Sequence, residues 1–224
     1  CLSACFLFLC ILCAHPNLSS ADNWSCTSVS PQTAGAFDLP QDCTMTSAGV
    51  TLTGNLAITG DASLTTITAK TSGDRRHFYV DSGRTLTLKW LNLTGGSMSG
   101  DNGGSIYVDG TGSTLHATSC VFFLNTASIG GAVYSDGGSV QLYHSNITEN
   151  TAYVGGGVLN FDGFTVVQDS IIADNTAADR GGGIGQYKGT LTITRSVIKD
   201  NRQTTPETGA TIGGGGVYIQ GNDV

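Results

Sequence analysis

Residues 140–184 read VQLYHSNITENTAYVGGGVLNFDGFTVVQDSIIADNTAADRGGGI, and the stretch says one phrase twice. In each half an Asn (Asn150, Asn175) precedes a Gly-Gly pair and an aliphatic residue (Gly156-Gly157-Val158, Gly182-Gly183-Ile184). Outward from here the phrase continues on both sides. Gly103-Gly104-Ser105-Ile106 and Gly130-Gly131-Ala132-Val133 lie before it, and Gly215-Gly216-Val217 lies after. The Asn landmarks are Asn125, Asn150, Asn175 and Asn201, 25, 25 and 26 residues apart. A fixed period of this size predicts one structural unit stacked on copies of itself.

Counting back from each Asn resolves the unit. Ten residues earlier stand Leu115, Val140, Thr165 and Leu191, and eight earlier Ala117, Leu142, Val167 and Ile193. Five earlier come Cys120, Ser145, Ser170 and Ser196, and three earlier Phe122, Ile147, Ile172 and Ile198. Polar residues fill most places between, so each unit carries two short period-two strands with a break of phase between them. The Gly-Gly phrase opens a third strand. A worn copy precedes these, with Leu86, Leu88, Leu91 and Leu93 inward, Gly96 in the Asn place and Phe78-Tyr79-Val80 as its third strand. Three strands per ~25 residues, no helix and strict register predict an all-β parallel β-helix over residues 46–224. In such a coil the Asn residues fall at one corner and stack as an amide ladder. The glycines fall where the chain turns sharply or a side chain would clash.

Composition narrows the function classes. Of 224 residues only 12% are charged, 32 are Gly, and the net charge is −7 with basic residues scattered, Arg75-Arg76 being the one adjacent pair. That excludes a basic stripe and speaks against a nucleic-acid partner. Residues 1–21 contain an apolar run (LSACFLFLCILCA, 2–14) too short for a bilayer span and followed by small residues. They read as the remnant of a secretory signal, the alternative being a truncated membrane anchor. Residues 22–45 are then an N-terminal cap. In an exported chain Cys26 and Cys43 are placed to form a disulfide there. Cys120 shares its place with serines and reads as a small buried residue. The four His are isolated, so no zinc spacing is present. Asn23, Asn92 and Asn146 head N-glycosylation triplets.

Catalytic chemistry has one candidate row. Glu149, Asp174 and Asp200 each stand one residue before a ladder Asn, so they stack. Such carboxylates repel unless solvated or bridged by a cation, calcium being the fitting one. Lys199 and Arg195 are the nearby bases a calcium-assisted lyase would need. The plain alternative is a solvated acidic corner, where the first coil carries Leu124. Residues 202–212 (RQTTPETGATI) interrupt the period, since Ile184 and Val217 lie 33 residues apart, and they read as a surface insertion. No Ser-His-Asp spacing, phosphate loop or metal motif is read, and no cofactor is otherwise expected.

Gly-Gly-Ala-Val paired with Phe122-Phe123-Leu124-Asn125, Ile147-Thr148-Glu149-Asn150 and Ile172-Ala173-Asp174-Asn175 resembles the repeats of polymorphic outer-membrane-protein type. More broadly the chain is similar to right-handed parallel β-helix proteins of the pectin-lyase-like fold. Arg76-His77-Phe78-Tyr79-Val80, leading into Leu86-Thr87-Leu88, resembles the usual opening of such arrays. The resemblance covers residues 46–224. It implies a secreted or cell-surface structural and adhesive module, with carbohydrate or cell-surface ligands as partners and scope for self-association. The fold also hosts polysaccharide lyases and glycoside hydrolases, which is the alternative function.

Overall fold

The computed structural model describes residues 23–26, 32–205 and 214–221. It is an all-β parallel solenoid of about six coils with about 26 residues per turn. One coil comprises strands Thr114–Thr118, Val121–Phe123, Thr126–Ile129 and Val133–Asp136. The first, second and fourth of these belong to three seven-stranded sheets, here the first, second and third sheets. Strand Thr126–Ile129 belongs to a five-stranded fourth sheet, lodged between the ladder Asn and the Gly-Gly turn. Neighbouring coils pair parallel and in register, as in Leu115 beside Val140, Phe122 beside Ile147 and Val133 beside Val158. Residues 1–21, which the sequence reading takes as a signal remnant, and most of residues 202–212 lie outside the described residues.

Alternation along each strand points every second side chain into the coil. The first sheet sends in Leu86, Leu88, Leu115, Ala117, Val140, Leu142 and Val167, all with no exposed surface, while in the last coil Leu191 is only partly covered and Ile193 is exposed. The second sheet contributes Leu93, Phe122, Ile147 and Ile172, and the third Phe78, Ile106, Val133, Val158 and Ile184. At the N-terminal end Trp24 packs on Phe78 with ring centroids 5.8 Å apart, and its Nε1 donates to Gln32 O at 3.1 Å. Cys26 and Cys43 are joined as a disulfide beside it. Strand Gly35–Leu39 pairs with Leu56–Gly60, so residues within the cap already follow the coil register.

Corners explain the composition. Between first and second sheets, Trp90, Ser119, His144, Asp169 and Arg195 all take positive φ, from 49° to 55°. Between second and fourth sheets Leu124, Glu149, Asp174 and Asp200 do the same, at 54° to 57°. This left-handed region is costly for most side chains and mildest for Asn, Asp and His. At the Gly-Gly corner the left-handed residue is Gly103, Gly130, Gly155 or Gly181, with φ from 61° to 66°. In the triplets it is therefore the glycine one place ahead of the pair seen in sequence. The next glycine serves a different need. A Cβ on Gly131 would sit 2.1 Å from the carbonyl oxygen of Gly156, and one on Gly156 2.3 Å from that of Gly182.

Candidate functional site

The Asn residues build an interior ladder. Asn125 donates its backbone N–H and one Nδ2–H to Asn150 Oδ1, at 2.9 and 3.0 Å. Asn150 does the same to Asn175 Oδ1, at 3.0 and 2.9 Å, and Asn175 to Asn201 Oδ1, at 3.0 and 2.9 Å. Each Nδ2 also reaches a carbonyl of the preceding coil, Phe122 O at 3.0 Å in the case of Asn150. Where the worn coil has Gly96, its N–H donates to Asn125 Oδ1 at 2.9 Å. Asn125, Asn150 and Asn175 have no exposed surface and Asn201 is half-buried, so these amides hold the coil and face no ligand. A second ladder runs along the other corner. The N–H groups of Cys120, Ser145 and Ser170 donate to the hydroxyls of Ser145, Ser170 and Ser196 at 3.0 to 3.1 Å.

Glu149, Asp174 and Asp200 lie in one row on the outside, exposed, at the left-handed corner. Asp200 meets Lys199 Nζ at 3.4 Å. Arg195 turns away to Asp169, where Nε and Nη2 each bond a carboxylate oxygen at 2.7 Å. Among the described residues no three His, Cys, Asp or Glu side chains come close enough to share a metal ion. Aspartate tolerates the left-handed backbone better than most side chains, which accounts for Asp174 and Asp200 at this corner though not for Leu124 or Glu149. Of the sequon residues, Asn23 and Asn146 are exposed, whereas Asn92 is half-buried with its Oδ1 unpartnered.

The densest surface chemistry lies elsewhere, on the outward face of the third sheet. Its strands read Phe78-Tyr79-Val80, Ile106-Tyr107-Val108-Asp109 and Val133-Tyr134-Ser135-Asp136. Inward places are apolar or small, so register stacks the tyrosines in one outward column and the aspartates in the next. Tyr79 and Tyr107 meet edge-on with centroids 5.1 Å apart, and Tyr107 and Tyr134 at 5.0 Å. Higher coils continue with Leu159 and Phe161, then Tyr187, then Tyr218. The fourth sheet flanks this face. Ile129 and Val154 close a cleft of about 210 Å³ against Tyr134, Leu159, Phe161 and Tyr187. A wider hollow of about 410 Å³ lies at the other end, by Arg76, Tyr79 and Met98.

Charge frames the rings. The Arg76 guanidinium stands 5.2 Å from the Tyr107 centroid and 5.8 Å from that of Tyr79, a favourable cation–π placement. It also bonds Asp101 Oδ2 at 2.9 Å. Arg180 covers Tyr218 at 5.4 Å. The Tyr79 hydroxyl donates to Asp109 Oδ2. Burial, then the Asp109 and Asp136 charges, pushes Tyr107 up to about 12. The Asp136 carboxyl is raised by burial first and by Asp109 and Asp162 after. These phenols therefore remain protonated donors at neutral pH beside carboxylate acceptors. Tyr134 is itself buried with Val154 and Leu159, so the accessible rings are Tyr79, Tyr107, Phe161 and Tyr187, which with the neighbouring hydroxyls and carboxylates suit a ligand that is apolar on one face and hydroxylated at its rim.

The sequence marks this face with Tyr-x-Asp at Tyr79 to Asp81, Tyr107 to Asp109 and Tyr134 to Asp136, in three consecutive coils. No protein-family model matches the chain, and no curated protein or solved structure is significantly similar to it.

Proposed function

We propose that the chain is a secreted or cell-surface solenoid module that binds carbohydrate along the outward face of its third sheet. The Tyr/Asp columns carry the reading: Tyr79, Tyr107 and Tyr134 stacked beside Asp109 and Asp136, and a cleft lined by Phe161 and Tyr187 further on. A β-helix of polymorphic outer-membrane-protein type, carrying adhesive repeats, is the family this reading favours. Titration calorimetry against a panel of neutral and acidic polysaccharides tests it. At least one should bind, and Phe161→Ala together with Tyr79→Ala should weaken it at least tenfold, about 1.4 kcal/mol. Full affinity in that double variant, or no binding across the panel, overturns the proposal.

One observation supports the alternative, an extracellular polysaccharide lyase or glycoside hydrolase. The Asp136 carboxyl is raised by burial first and by the Asp109 charge after, and a carboxyl acid raised in this way beside a second carboxylate is what glycoside hydrolysis requires. Turnover of a bound polysaccharide, lost in Asp136→Asn while binding survives, would favour this reading over simple adhesion.

A further inference from the structure

The corner between first and second sheets stacks three different reactive side chains in consecutive coils. Ser119, His144 and Asp169 occupy the same place, 25 residues apart each time, with φ of 53°, 50° and 50°. Register fixes the order. Ser119 N–H donates to Tyr143 O at 2.9 Å, and His144 N–H to Gln168 O at 3.0 Å. Asp169 N–H in turn donates to Thr194 O at 3.0 Å. Strand spacing puts each roughly 4.8 Å from the next, with the imidazole between hydroxyl and carboxylate. That is within reach of hydrogen bonds once side-chain rotamers turn.

We infer that Ser119, His144 and Asp169 form a nucleophile, base and orienting carboxylate for the cleavage of carboxylic esters, with Asn146 as the oxyanion donor. Ser119, His144 and Asn146 line one hollow of about 300 Å³, whose apolar wall is Trp90, Leu64 and Val121. The Trp90 ring, with Lys89 Nζ 3.9 Å from its centroid, forms part of the wall against which the ester's organic part would pack. Among the described residues, neither the Ser119 hydroxyl nor the His144 ring is committed to another hydrogen bond. Asp169 accepts from Arg195 at both oxygens and from Gln168 Nε2 at Oδ2, 3.1 Å away. That leaves Oδ1 a lone pair for an imidazole N–H. Arg195 foremost, and Gln168 next, hold the Asp169 carboxyl down at about 2, so it stays an anion while His144 gains and loses a proton.

The chemistry balances without a cofactor. Ser119 Oγ bonds to the ester carbon as its proton passes to His144, and the carbonyl oxygen takes up negative charge against Asn146 Nδ2–H. Collapse breaks the carbon–alkoxide bond, and the alkoxide leaves with the proton from His144. Water, deprotonated by His144, then attacks the acyl group, and the acid departs as Ser119 recovers its proton.

This assignment is independent of carbohydrate binding on the third sheet. Its test uses the whole chain, produced without N-glycosylation so that Asn146 is unmodified. The probes are p-nitrophenyl acetate and a fluorophosphonate. The expected result is one phosphonylated residue, Ser119 by mass spectrometry, with labelling and turnover abolished in Ser119→Gly, a residue that fits the positive φ there without strain. His144→Ala should lose about 100-fold or more in kcat. Asn146→Ala should lose about 100-fold in kcat with KM little changed. Unchanged melting temperatures would show that these corner variants fold. Absence of labelling, labelling at another serine, or turnover undiminished in Ser119→Gly would overturn the assignment.

Discussion

Single buried polar groups hold much of this molecule in place, and their partners set what each substitution costs. Asn150→Ala leaves Asn125 N–H and Nδ2–H, Phe122 O and Thr148 O without their partner inside the coil. At roughly 1–3 kcal/mol per stranded group, partly relieved by relaxation, chemical denaturation should report a loss of at least 3 kcal/mol. His77 is fully buried between coils, with Nδ1 3.0 Å from Ser105 Oγ and Nε2 3.1 Å from Ile67 O. The carbonyl can only accept, so Nε2 carries the proton and Nδ1 accepts from the hydroxyl. Burial lowers its pKa from 6.5 to about 4. Above pH 6.5 the imidazole is neutral in folded and unfolded chains alike. Between 6.5 and 4 only the unfolded chain takes up the proton, so stability falls as pH falls, by about 3 kcal/mol in all. Urea midpoints measured across that window should slope in the native chain and flatten in His77→Gln.

Corners and strands show where sequence suffices. Period and inward apolar places are legible because a buried strand face must be apolar every second residue, and the Asn spacing is legible because one amide recurs at one corner. The fourth-sheet strands escape notice because Thr126–Ile129 and Thr151–Val154 are short and sit beside a turn. Three glycines in a row likewise conceal which one is left-handed, since only the backbone separates Gly155 from Gly156. The distinction has a measurable consequence. Gly131→Ala should block folding or cost more than 3 kcal/mol, because its Cβ would enter a carbonyl oxygen of the next coil. Gly83→Ala, at φ 73° but with nothing within 4 Å, should cost about 1–2 kcal/mol. The reverse holds at Leu124, exposed and left-handed at 54°. Leu124→Gly should raise the denaturation midpoint by a few tenths to about 1 kcal/mol.

At the scale of the molecule the described coils stack along one axis, with Ile193, Val197 and Ile219 exposed on their last strands. At the opposite end the Cys26–Cys43 disulfide closes a 17-residue loop. Its reduction should lower stability by about 3 kcal/mol, read as a drop in melting temperature. The Asn ladder adds something its static role does not suggest. Its bonds run from coil to coil, along the axis, as the sheet ladders do. Tension applied to the two chain ends therefore meets each coil boundary in turn rather than all at once. Under a steady pull the solenoid would pay out in steps of one coil, about 26 residues each, with a similar force at each Asn rung. The disulfide-clamped end would be the last to yield. A tether of this design would dissipate a sudden tug over many small ruptures, a property that force spectroscopy would record as an evenly spaced sawtooth.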